Sequence, residues 1–136
     1  MPVRPRQPED LPACAAALRR VHDSSGYPSR WPDDPGGWIT PRDMVAAWVA
    51  EHDGEAAGLV ALVRGMRVDC LLRATGLPPE SLGGVTRLYV DPRFQRRAWP
   101  AIALYERAAW QLVGTQPATW TDPDGSVPVI RCYVRP

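Results

Sequence analysis

The chain has 136 residues, 45% of them apolar and 23% charged, which suits one soluble domain spanning residues 1–136 around a single core. No apolar run approaches the roughly 18 residues of a membrane-crossing helix. A net charge of +1 offers no bulk electrostatic case for nucleic acid.

The N-terminal stretch MPVRPRQPEDLP has no apolar h-region, so no secretory signal is expected. Gln7–Pro8–Glu9–Asp10 puts proline and acids in the first turn of a helix. Leu11, Cys14, Ala15, Leu18 and Val21 follow with helical spacing, and the helix should end near His22–Gly26. The segment SSGYPSRWPDDPGGWI is too rich in proline and glycine for a regular element. Its Tyr27, Trp31 and Trp38 are candidates to line a pocket, or else they simply cover one end of the core. Thr40–Pro41–Arg42–Asp43 predicts a short helix, with an N-cap, proline at the first helical position and an acid three residues on.

Ala47–Ala50 and Ala57–Val63 read as strands joined by a hairpin turn at His52–Asp53–Gly54–Glu55. MRVDCLLRA allows a short helical turn, and TGLPPESLGG is a loop. Val85–Val90 is a strand stopped by Asp91–Pro92, and Trp99–Trp110 is a helix. Gln111–Trp120 and Val127–Val134 flank TDPDG as a C-terminal hairpin. Strands and helices in this order predict an α/β or α+β sheet domain. The three cysteines are widely spaced without metal-ligand spacing, and are expected to be buried free thiols in a reducing cytoplasm. All sixteen basic residues are arginine, the composition of a GC-rich coding sequence, so arginine abundance alone argues for nothing.

Two phrases, VTRLYVDPRFQRR and AIALYERAAWQLVGT, occur in order with one hairpin before them and another after. Together they make nearly the whole chain resemble the GNAT superfamily of acyl-CoA-dependent N-acyltransferases. The resemblance implies a mixed, mostly antiparallel central sheet with flanking helices. It also implies an enzyme that moves an acetyl group from acetyl-CoA, its co-substrate, to a primary amine of a small molecule or peptide; the bacterial type is read from the GC-rich composition instead. Leu88, Tyr89 and Val90 match the strand that pairs with the pantetheine arm, and Gln95, Arg96, Arg97 and Ala98 match the pyrophosphate loop. A pyrophosphate needs several converging N–H donors at a positive end, which a strand running into a helix supplies. Tyr105 matches the general acid toward the departing thiolate, and a phenol is protonated at neutral pH and can donate. Glu51, Glu80 and His22 are general-base candidates by residue type only.

One junction departs from the pattern. The family loop, Q/R-x-x-G-x-G/A, opens a long helix and then a strand, whereas here Gln95–Arg96–Arg97 meets Ala98–Trp99–Pro100. Proline supplies no N–H, and a strand–helix–strand crossover takes about 30 residues. The chain is therefore expected to lack one helix and one strand between Arg97 and Ala98, through a deletion or an omitted segment. A compromised site would suit a second reading, a non-catalytic protein on the same scaffold acting as a binding or partner subunit. Trp120, Tyr133 and the terminal hairpin offer an edge for a homodimer. No metal ligands are expected.

Overall fold

Alternating side chains in the middle of the chain close into a meander whose faces are set by the hairpin at Asp53–Gly54. The structure, a computed structural model, describes residues 2–95 and 109–134. Strands β1 (Val3–Pro5), β2 (Met44–His52), β3 (Glu55–Arg64) and β4 (Gly83–Val90) form an antiparallel sheet in that order. A second, two-stranded antiparallel sheet joins β5 (Gln111–Pro117) to β6 (Val129–Val134). Helices α1 (Leu11–Ser25), α2 (Pro35–Trp38) and α3 (Asp69–Thr75) flank the strands. The expected mixed, antiparallel α+β architecture is the one observed.

α1 starts where the sequence signals it. The Asp10 carboxylate accepts from the Gln7 amide at 2.6 Å in a capping box. The helix stops at Gly26, whose φ of 75° lets its N–H reach the His22 carbonyl at 2.8 Å. Its apolar stripe, Cys14, Ala17, Leu18 and Val21, packs on Val49 of β2, Leu59 of β3, Tyr89 of β4 and Ile39. Each large aliphatic side chain in that layer contributes roughly 1.5–3 kcal/mol by leaving water.

The β2–β3 turn has Asp53 at φ 50° and Gly54 at φ 79°, the two left-handed residues of a type I′ turn. A Cβ on Gly54 would meet nothing within 4 Å, so Gly54→Ala adds backbone strain without a clash. It is expected to cost about 1 kcal/mol, read as a lowered urea midpoint with an unchanged slope.

Four sequence expectations are corrected. Thr40–Pro41–Arg42–Asp43 does not start a helix. The Thr40 hydroxyl instead donates back to the Gly36 carbonyl at 3.0 Å, and Met44 closes a turn onto Pro41. The preceding loop does contain a regular element, because the Asp34 carboxylate caps Gly37 and nucleates the single turn of α2. β1 was not expected; this three-residue edge strand is held by non-local pairing of Val3 with Ala50 and Pro5 with Trp48. Cys70 and Cys132 are joined as a disulfide with their Cα atoms 6.7 Å apart, leaving Cys14 as the buried thiol. That disulfide ties α3 to β6, and the Gln116 side chain reinforces the junction by accepting from the Cys70 amide at 3.0 Å.

The Arg97–Ala98 junction lies outside the described residues, as does the expected helix from Trp99 except for Ala109 and Trp110, which are not helical. No helix among the described residues is long and apolar enough to cross a membrane.

Candidate functional site

β4 is the strand around which the candidate residues gather. One of its edges is taken by β3, with Tyr89 opposite Leu59 and the Asp91 amide donating to the Ala57 carbonyl at 2.8 Å. In an antiparallel ladder successive residues face opposite ways, so the N–H and C=O of Val90 turn away from β3. Among the described residues no strand pairs with that other edge, since β5 and β6 form their own sheet.

The strand also carries a bulge. Thr86 stands opposite Ala61 and Tyr89 opposite Leu59, so Arg87 and Leu88 together face the single residue Val60. Arg87 takes up the extra residue in the left-handed region, at φ 55°. For a side-chain-bearing residue this costs roughly 1–2 kcal/mol, so the surrounding contacts must hold it there. Gly58 admits β4 closely here, because a Cβ on it would stand 2.8 Å from the Tyr89 carbonyl oxygen.

At the end of β4 the chain turns on Asp91, which is 0% exposed. Its carboxylate accepts from Arg20 Nε at 2.7 Å, Arg93 Nη2 at 3.0 Å and the Arg93 amide at 3.0 Å. Burial pushes this carboxyl up, but the Arg93 and Arg20 bonds outweigh it and hold it below the ordinary value. The last of these bonds caps the short 3-10 turn Pro92–Phe94, and Phe94 rests on the His52 ring at 5.0 Å between centroids. Gln95 then folds back, its Nε2 donating to the Val90 carbonyl at 2.6 Å. Leu88, Tyr89, Val90 and Gln95 are thus brought together by the strand and its turn. Arg96, Arg97, Ala98 and Tyr105 lie outside the described residues.

The Tyr89 phenol is not at the open edge. It is buried, donates to the Cys14 carbonyl at 2.9 Å, and burial pushes its pKa well above the ordinary value. The Tyr89 backbone is turned to β3, opposite Leu59, so of the three residues expected along the pantetheine arm Leu88 and Val90 face the outer edge and Tyr89 does not.

The three loop aromatics divide. The Tyr27 ring sits edge-on to Trp38 at 5.8 Å, and the Arg87 guanidinium lies over the Trp38 ring at 4.0 Å. Trp31 joins a different group, against His22 at 5.4 Å and under Arg19 at 5.0 Å. Arg87 is the residue that sequence reasoning missed. A strand alternation shows no bulge, and in a lysine-free chain one more arginine carries no signal.

The general-base candidates are dispersed. Glu51 is paired with Arg4 at 2.7 Å on the β1–β2 side of the sheet. Glu80 lies in the Pro79–Ser81 turn before β4 begins, at the end opposite Val90. His22 donates from Nδ1 to the Pro28 carbonyl at 2.6 Å. A cavity of about 270 Å³ opens beside the first residues of β4, lined by Met66, Leu71, Gly84, Ile130 and Cys132 among others. None of the sequence-predicted site residues that fall among the described residues lines it.

No protein-family model and no curated protein matches the sequence. Solved structures do match. The chain is similar to an acetyltransferase of the GNAT family from Streptococcus pneumoniae, with 12% identity over 98% of this chain and 99% of that one, at a TM-score of 0.62. It is similar to the ribosomal-protein-S18-alanine N-acetyltransferase of Escherichia coli, with 16% identity over 96% and 90%, at 0.62. It is also similar to Arabidopsis thaliana NAA60 in complex with a bisubstrate analogue, with 18% identity over 98% and 96%, at 0.62. The Arabidopsis protein was also solved with acetyl-CoA and matches at a TM-score of 0.60, with 16% identity over 98% of both chains. The chain has the fold of the GNAT acetyltransferases.

Proposed function

We propose that this protein is an N-acetyltransferase that takes its acetyl group from acetyl-CoA and delivers it to a primary amine. The observation that carries this reading is the outer edge of β4, bulged at Arg87, in a fold shared with acetyltransferases. The pantetheine arm pairs with that edge, as an added strand, through the backbone of Leu88 and Val90, with Tyr89 between them turned to β3. The pyrophosphate is received by Gln95, Arg96, Arg97 and Ala98, where amide and guanidinium donors offset its charge.

The acceptor amine enters past the loop of Tyr27, Trp31 and Trp38 and attacks the thioester carbonyl. A carbon–nitrogen bond forms, the carbon–sulfur bond breaks, and the ammonium nitrogen loses two protons, one released to solvent before attack and one balanced by the proton the thiolate gains. Holding the two reactants together supplies most of the acceleration. Tyr105 donates to the leaving sulfur. A thiolate with a conjugate pKa near 8.5 leaves readily, so Tyr105→Phe is expected to lower kcat by only about tenfold, below the usual range for a general acid. Stopped assays of free thiol release would read it.

Calorimetric titration with acetyl-CoA tests the reading itself. Saturable binding, followed by thiol release on adding amines, is expected. Absence of heat at millimolar acetyl-CoA, with the protein folded by circular dichroism, would overturn it.

A further inference from the structure

Arg87 has surroundings unlike those of the other arginines near it. Arg4 is paired with Asp10 and Glu51, and Arg20 and Arg93 both close on Asp91. Arg87 is half-buried, yet no carboxylate among the described residues forms an ion pair with it. Its contacts orient it without neutralising it. Nε donates to the Trp38 carbonyl at 2.8 Å, Nη1 donates to the Thr86 hydroxyl at 3.3 Å, and Cζ lies over the Trp38 ring at 4.0 Å from its centroid. Burial lowers its pKa from the ordinary arginine value.

A guanidinium does not lose its proton in a protein, so a desolvated one calls for a counter-charge. Nη2 makes no hydrogen bond among the described residues and Nη1 makes one, so the guanidinium keeps donors on both terminal nitrogens for a carboxylate. The backbone pays for this placement with a left-handed φ of 55° at a non-glycine residue, the kind of local strain that marks functional positions.

We infer that Arg87 is the acceptor-recognition residue of this site, and that the acceptor amine carries a carboxylate, as a free amino acid does. The inference rests on the acetyltransferase reading, because Arg87 immediately precedes the Leu88–Val90 edge along which the acyl donor would lie. Trp38 positions the guanidinium, and Tyr27 walls the acceptor's entry.

The test measures thiol release from acetyl-CoA with each of the twenty free amino acids and with its carboxamide. At least one free acid should be acetylated, and preferred over its amide by about 30-fold in kcat/KM, the worth of a charge-assisted pair of hydrogen bonds. Arg87→Gln should bring that ratio close to one, and Arg87→Lys should leave it intermediate, since an ammonium keeps the charge but not the fork. Titration with acetyl-CoA reports in parallel on folding and on the donor site. If acetyl-CoA binds but no free acid is acetylated, or amides are preferred, the inference falls while the acetyltransferase reading stands. If Arg87→Gln slows acids and amides by the same factor, Arg87 is only a strut for the Trp38 loop and the inference is overturned. If acetyl-CoA does not bind the parent protein, both readings fall together.

Discussion

Asp91→Ala is expected to destabilise the protein by about 3 kcal/mol, lowering the melting temperature by on the order of 10 °C for a chain of this size. The carboxylate is fully buried and takes hydrogen bonds from two guanidinium groups and one amide. Alanine leaves those donors facing a void. The figure sits at the lower end for a broken buried ion pair because the Arg20 and Arg93 side chains are 38% and 46% exposed and can recover water. The pH dependence gives a second reading of the same group. Its folded pKa lies below the ordinary value, so its contribution is present in full above the unfolded carboxyl pKa near 3.9. That contribution is lost as pH falls through the folded pKa. The gap between melts of the parent and of Asp91→Ala should be full at neutral pH and narrow as pH falls below about 4. The Asp10 carboxyl, held at about 2 by Arg4, is common to both proteins and cancels. A gap of equal size at pH 7 and pH 3 would mean that Asp91 acts through packing alone.

What the sequence disclosed and what it hid follow from the range of the interactions involved. The β2–β3 hairpin was legible because its determinant is local: Asp53–Gly54 tolerates two left-handed residues in a row, and the flanking apolar runs alternate. α1 was legible for the same reason, with its cap, stripe and terminal glycine all inside twenty residues. The features that were missed depend on distant partners. β1 exists only because β2 offers an edge some forty residues later. The Cys70–Cys132 bond spans 62 residues with no spacing rule to announce it. The apparent helix start at Thr40 failed because its hydroxyl was better used closing α2 behind it.

The site divides along the same line. The strand and turn from Leu88 to Gln95 could be read from VTRLYVDPRFQ, because strand, stop and turn are consecutive. The bulge could not. It arises from a register shift between β3 and β4, which period-two alternation does not record, and it is what sends Arg87 onto Trp38. The loop aromatics were selected as one group by composition, yet Trp31 packs with His22 and Arg19 while Tyr27 and Trp38 meet Arg87. Composition can nominate side chains for a pocket, but the packing of α1 against the loop decides which of them share one.

Val90→Pro addresses the open edge most directly and is expected to weaken acetyl-CoA binding by about 100-fold. Proline removes one N–H, and at this position the lost N–H is one that β3 does not use. The Asp91 amide still reaches Ala57, and Tyr89 still faces Leu59. Proline is tolerated on an edge strand when its missing donor faces outward, and the preceding residue is already extended, so the fold should survive. The ligand meets two penalties: one of its buried acceptors goes unpaired, and the pyrrolidine ring enters the lane its chain would follow. Val90→Ala is the matched control, since it removes the side chain and keeps the donor, and its affinity should stay within a few fold of the parent's. Both variants would be titrated calorimetrically with acetyl-CoA after their melting temperatures are matched to the parent's. Equal affinities for the proline and alanine variants would mean that the donor arm does not pair with β4, and the acceptor geometry built on Arg87 would then lose its reference point.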